Sequence, residues 1–177
     1  MPLSWIEDVV SEYYSKTNHL VFNNVNYFGT TPGKKQPAWQ EFDVLTIKDG
    51  KATIISCKRG LTPKDYDKQA KMLLFHRKNL LGHQDLEKYR TLFSEPPELI
   101  LFIEYPREEH VERIEKEGIK VKSLKDMLRD YINLLKAELE ESNQNEGKEN
   151  NYATRLLKGL LKHGIIEVKG SKASEKI

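Results

Sequence analysis

The chain of 177 residues contains one cysteine, Cys57, which excludes any disulfide within it. No apolar run approaches the ~18 residues that a membrane-spanning helix requires. The opening Met1-Pro2-Leu3-Ser4-Trp5-Ile6-Glu7 has neither the basic nor the apolar region of a secretion signal. Five histidines (His19, His76, His83, His110, His163) are scattered without zinc-ligand spacing, which argues against a His/Cys zinc site. There are no internal repeats. Charge of one sign is also lacking: 29 Lys and Arg against 27 Asp and Glu leave a formal net charge of +2, too balanced to announce nucleic-acid binding. A cytoplasmic protein without membrane attachment is the expectation, and any basic footprint must be local. One such run goes from Lys58-Arg59 through Lys64, Lys68 and Lys71 to Arg77-Lys78.

What is present is a sequence of clear periodic segments. Ser4 with Glu7 three residues on forms a capping-box pattern. Trp5, Ile6, Val9, Val10, Tyr13 and Tyr14 then recur at helical spacing, predicting a helix over 4–16 that ends near Asn18. Leu20 to Tyr27 predicts a strand, and Gly29 to Pro37 a loop. Glu41 to Ile47 and Ala52 to Lys58 are apolar segments joined through Asp49-Gly50, a strong hairpin signal. A helix follows over 64–81, with Tyr66, Ala70, Leu73, Leu74 and Leu81 as its apolar face. Leu99 to Ile103 lacks alternation and suits a strand covered on both sides. A short charged helix (107–117), a break at Gly118, a strand at Ile119 and Val121 and a helix over 123–140 come next.

This order predicts an α/β fold, a mixed central sheet flanked by helices, over residues 1–140. Residues 141–150 are almost wholly polar and predict a linker. Residues 151–177 predict a small C-terminal appendage: a helix from Tyr152 to His163 closed by Gly164, a short strand over Ile165–Val168 and a tail. The appendage resembles the last helix and wing of a winged-helix domain but is too short to be complete. Packing on the core or on a second protomer is the better expectation.

Alternate residues of a strand share a face, so Glu41 and Asp43 are expected to point one way, with Phe42 and Val44 toward the opposite layer. Ser56 and Lys58 share one face of the next strand, and Ile55 and Cys57 the other. If the hairpin pairs, Asp43, Ser56 and Lys58 meet near the strand end. A carboxylate there could hold Mg²⁺ or Mn²⁺, and a lysine beside it could orient water or stabilise charge on a phosphate.

The run Glu41-Phe42-Asp43-Val44-Leu45, the Asp49-Gly50 hairpin and Ile54-Ile55-Ser56-Cys57-Lys58-Arg59 resemble the signature of the PD-(D/E)xK nucleases. Within them the chain is most similar to the Mrr-like restriction relatives. It is also similar to the nuclease domain of CRISPR-associated nucleases activated by cyclic oligoadenylate, whose first helix opens as Trp5-Ile6-Glu7-Asp8-Val9-Val10 does here. The likeness covers roughly residues 4–128. It implies a restriction-endonuclease-like fold and a metal-dependent hydrolase of DNA, ahead of RNA, working in antiviral defence, with a homodimer as the expected assembly. Asp43 would be the metal-binding aspartate, Lys58 the catalytic lysine, Glu7 the helix-borne acid near the metal and the Cys57 carbonyl a further ligand. Where the family carries an acid or Gln two positions before the lysine, this chain has Ser56. A hydroxyl cannot match a carboxylate as a ligand for a hard dication.

Each of these residues has a plainer role beside the functional one. Asp43 could be a polar residue on a half-exposed strand, and Lys58 a solvated strand end. The capping box accounts for Glu7, with Glu12 as the fallback helix acid. Glu41 suits a rim or auxiliary position, and Cys57 a small core residue. Arg59, Lys64 and Lys68 are candidates for phosphate contacts but also belong to a solvated helix face, as does Gln69. Two rival functions follow: a catalytically degenerate module that binds nucleic acid, with Ser56 as the lesion, and a defence subunit whose nuclease fold mediates assembly.

Overall fold

A computed structural model of the chain describes residues 5–31, 33–141 and 152–166. Cα proximity divides the chain into two compact units, Met1–Lys125 and Asp126–Ile177. The first unit holds the sheet. Helix α1 (Trp5–Lys16) is followed by β1 (Leu20–Gly29), β2 (Ala38–Lys48) and β3 (Lys51–Lys58). Helix α2 (Pro63–Gly82), a 3₁₀ turn (Gln84–Leu86) and α3 (Glu87–Arg90) lead to β4 (Glu98–Ile103), α4 (Glu108–Glu115) and β5 (Ile119–Ser123). Helix α5 (Leu124–Glu141) begins at the end of this unit. The five strands lie in sequence order. β1, β2 and β3 form an antiparallel meander, and β3, β4 and β5 run parallel. This is the expected α/β fold with a mixed sheet flanked by helices, and no described helix is long and apolar enough to cross a membrane.

Local chemistry sets the boundaries. α1 closes with Asn18 at φ 62°. There the Asn18 N–H donates to Ser15 O at 3.1 Å and the His19 N–H to Tyr14 O at 3.1 Å, a Schellman closure. Asp49 and Gly50, at φ 50° and 72°, make the tight hairpin turn with both central residues left-handed. α2 starts at Pro63 behind Thr62, whose main-chain N–H and hydroxyl both donate to the Asp65 carboxylate at 3.1 and 2.6 Å.

Two apolar layers sandwich the sheet. α1 packs on β1, β2 and β3. On the other face α2 buries Tyr66, Ala70, Leu73, His76 and Leu80. Leu80, not the expected Leu81, points inward: Leu81 is 41% exposed, because Leu80 keeps the helical interval of seven from Leu73. The 3₁₀ turn after α2 adds Leu86, fully buried in the same cluster.

Strand alternation predicts Phe42 and Val44 on one face, and the structure separates them. Asn23 pairs with Val44 and Val25 with Phe42, but no ladder pair joins Asn24 to Asp43 between them. Asn24 sits at φ 52°, a left-handed kink that reverses which face each strand presents. Asn23 accepts a hydrogen bond from Ser11 of α1 at 2.6 Å, whereas Val25, Tyr27 and Phe42 join the α2-side cluster with Leu45, Ile47 and Ile54. Val44 is buried outside that cluster.

In the second unit, α6 (Tyr152–Lys162) closes through Gly164 at φ 64°. Thr154 hydrogen-bonds the Tyr131 hydroxyl of α5, and Lys158 pairs with Glu138 at 2.9 Å. The expected strand over 165–168 does not form in its described half. The Ile165 and Ile166 N–H groups turn back to Leu160 O at 2.9 and 3.4 Å, so the helix closure uses the donors a strand would need. The expected linker and tail lie outside the described residues, apart from Glu141, which ends α5.

The Asp49-Gly50 turn yields a direct test. A Cβ at Gly50 would meet only Ser94 Oγ, at 3.8 Å, so the penalty of substitution is in the backbone. Gly50→Ala should destabilise the fold by about 1 kcal/mol, and Gly50→Asn by clearly less, as read from urea midpoints.

Candidate active site

The hairpin brings Asp43, Ser56 and Lys58 together as the spacing requires. One carboxylate oxygen, Asp43 Oδ2, accepts three hydrogen bonds: from Ser56 Oγ at 2.9 Å, the Cys57 main-chain N–H at 2.9 Å and Lys58 Nζ at 3.0 Å. The β2–β3 ladder ends at Val44 with Ile55. Beyond it the Asp43 side chain, rather than a β2 carbonyl, takes the Cys57 N–H. Oδ1 of Asp43 accepts no hydrogen bond from the described residues. The Asp43 and Lys58 side chains keep 21% and 29% of their surface in solvent, so the pair is within reach of a ligand.

In an extended strand the N–H and C=O of one residue point to the same neighbour. The Cys57 N–H is turned toward Asp43, so its carbonyl is turned there too, past the last β2–β3 pair. Lys58, one residue on, faces β4, where its carbonyl accepts from the Glu104 N–H at 3.2 Å. The Cys57 thiol itself is buried. Burial pushes it well above the usual thiol range, the charges of Asp43 and Glu7 push the same way, and Lys58 opposes them. It is a packing residue, not a nucleophile.

The other expected residues are less central. Glu7 is half-buried on α1, and its charge reaches Cys57. Glu41 is exposed and forms no hydrogen bond or ion pair with the site, because the reversal at Asn24 and Asp43 separates its face from that of Asp43. Arg59 pairs with Glu104 at 3.7 Å while staying 74% exposed. Lys64 and Lys68 are exposed on α2, with Lys71 and Lys78 on the same stripe, opposite the buried face.

Two residues near the pair escaped the sequence. Glu104 directly follows the apolar run of β4, and its place at the strand end beside Lys58 was its signal. His76 sits inside the α2 layer, its Nδ1 3.0 Å from the Tyr27 hydroxyl and its ring against Phe42 at 4.9 Å. Burial holds it down to about 4, with Asp43 opposing and Lys58 assisting.

Among the described residues no group of three or more His, Cys, Asp or Glu is placed to hold a metal ion. The oxygen donors at this strand end are Asp43 Oδ1, which accepts no hydrogen bond from the described residues, and the Cys57 carbonyl. Mg²⁺ commonly takes one or two carboxylates and completes its shell with water and substrate phosphate, so this set fits such an ion without forming a closed cage.

No family model matches the chain, and no curated protein matches it. The chain is similar to a crystal structure named "Protein of Unknown Function AF1548", at 18% identity, covering 92% of this chain and 79% of that one, with a TM-score of 0.44. A likeness of that size decides nothing about fold or chemistry.

Neutral burial of His76 makes stability pH-dependent. Its folded value of about 4 lies below the unfolded 6.5, so its contribution is complete above pH 6.5 and is lost as pH falls from there toward 4. Each pH unit in that window should remove up to about 1.4 kcal/mol. His76→Phe should flatten the urea-midpoint profile between pH 6.5 and 4 by one proton's worth of slope, whatever its offset at neutral pH.

Proposed function

We infer that the chain is a metal-dependent endonuclease of the PD-(D/E)xK type, cutting DNA ahead of RNA. The observation that carries this is the shared oxygen of Asp43, which draws the Lys58 ammonium and the Cys57 main chain to one point at an opened strand end. Asp43 Oδ1 and the Cys57 carbonyl would hold Mg²⁺ or Mn²⁺, and Glu7 of α1 would be the helix-borne acid that contacts it through water. Such an ion, when bound, lowers the pKa of a coordinated water and neutralises charge on the phosphate. Lys58 has three donors and spends one on Asp43, leaving others for a non-bridging phosphate oxygen. Asp43 holds that ammonium in place. In the hydrolysis a water oxygen bonds to phosphorus, the bond to the leaving oxygen breaks, and that oxygen gains a proton. A cytoplasmic setting, a homodimer that cuts both strands of a duplex and a role in antiviral defence complete the reading.

The degenerate-module alternative rests on Ser56. Its hydroxyl donates to Asp43, so it acts as a positioning group and adds no charge for a cation.

Cleavage of labelled circular single- and double-stranded DNA and of RNA, with Mg²⁺, Mn²⁺ or EDTA, tests the enzyme. Cutting should require metal and fall at least about 100-fold in both Asp43→Ala and Lys58→Ala, as when a group that stabilises transition-state charge is lost. Salt-sensitive binding by all three proteins without cutting would leave the degenerate module. Ser56→Glu sets a second carboxylate against Asp43. It should lower the melting temperature in EDTA, and Mg²⁺ should restore it, as measured by calorimetry.

A further inference from the structure

The far end of the β1–β2 hairpin leaves two large aromatic side chains in solvent. Trp39 is 70% exposed and Phe28 46%. They are register partners across the two strands, with ring centroids 5.6 Å apart and planes inclined at 68°. An edge-to-face neighbour steadies the indole without covering both of its faces.

Three kinds of occupant compete for this surface. An added β-strand needs the free outer edge of β1, and at Phe28 that edge is taken. His83 Nε2 donates to Phe28 O at 2.9 Å, and the Phe28 N–H reaches the Asp85 carboxylate at 3.5 Å. An apolar protein surface needs a continuous apolar patch, but the neighbours along the hairpin are Asn26, Lys34, Lys35, Gln36, Gln40 and Glu41, the last an acid two residues from Trp39 on the same face. Nucleobases need an open aromatic face with positive charge alongside for the phosphates. The loop from Gly29 to Pro37 carries Lys34 and Lys35 and no acid. Trp39 lies four residues before Asp43 on one strand, about 13 Å at the strand rise, on the face it shares with Glu41, which the reversal at Asn24 turns away from that of Asp43.

We propose that Trp39, backed by Phe28, is a stacking platform for an unpaired nucleobase, with Lys34 and Lys35 holding the adjoining phosphates. Gln40 fixes the hairpin beneath the platform, donating to Ala38 O at 3.1 Å and to Gly29 O at 3.4 Å.

The test is equilibrium binding of the full chain to labelled oligothymidylate and to a blunt duplex of equal length, in EDTA at fixed salt. Trp39→Ala should weaken single-strand binding about 5- to 100-fold, the loss of one stacked base, and leave duplex binding unchanged. Trp39→Leu should lose nearly as much and Trp39→Phe far less, which separates stacking from apolar contact. Replacing Lys34 and Lys35 by Gln should reduce the salt slope for the single strand by about 1.4. Equal single-strand binding by wild type and Trp39→Ala overturns the platform, as does equal loss in Trp39→Leu and Trp39→Phe. The cleavage assay keeps the two ideas apart. Asp43-dependent cutting with Trp39-independent binding removes the platform and leaves the nuclease. Trp39-dependent binding without any cutting supports the platform and removes the nuclease.

Discussion

One carboxylate oxygen organises this molecule. Where β2 parts from β3, Asp43 Oδ2 replaces the missing ladder acceptor for the Cys57 N–H and gathers the Ser56 hydroxyl and the Lys58 ammonium. An unpaired main-chain donor at such a fork would cost about 1–3 kcal/mol, and a lysine drawn half out of water would cost more. The carboxylate relieves both. A strand end that would otherwise fray becomes a fixed point, and the candidate site consists of the same atoms that close the sheet.

The surroundings follow from that constraint. On one side His76 is kept neutral among Tyr27, Phe42 and Phe75, so the α2 layer adds no second cation behind Lys58. On the other, the Cys57 thiol is held protonated by burial and by the two acids near it. The charges at the strand end are those of Asp43 and Lys58. Glu104 neutralises Arg59 at the neighbouring strand end. The pair is thus open on the solvent side and electrostatically quiet behind.

Much of this was legible in the sequence, because it rests on local rules. Period-2 and period-3.6 patterns placed the strands and helices of the sheet unit, and Asp49-Gly50 set the register that brings Asp43 opposite Ser56. What escaped was what tertiary context decides. Alternation put Glu41 with Asp43; asparagine tolerates the left-handed region, but nothing local singles out Asn24 from Asn23 and Asn26 as the residue that reverses both strands. Leu81 and Leu80 differ by one position, and only the packed sheet chooses between them. His76 reads as a polar residue on a basic helix until Tyr27, 49 positions away, supplies its partner. The short strand expected after Gly164 does not form at Ile165 and Ile166 because the helix closure claims their donors.

The pairing order of the sheet also fixes when the site can exist during folding. Asp43 and Lys58 are 15 positions apart within one hairpin. The β3–β4 pairing that begins at Thr53 with Glu98 must close a chain roughly three times longer, through α2. The difference in closure entropy is only about 1 kcal/mol, but hairpins form in roughly 1–10 μs, ahead of pairings that wait on a crossover. Asp43 and Lys58 can therefore meet before the parallel half of the sheet is made, in a nascent meander still wet on both faces. The Asp43–Lys58 pair belongs to the earliest tier of the folding hierarchy, and the parallel strands are added to a hairpin that already carries it.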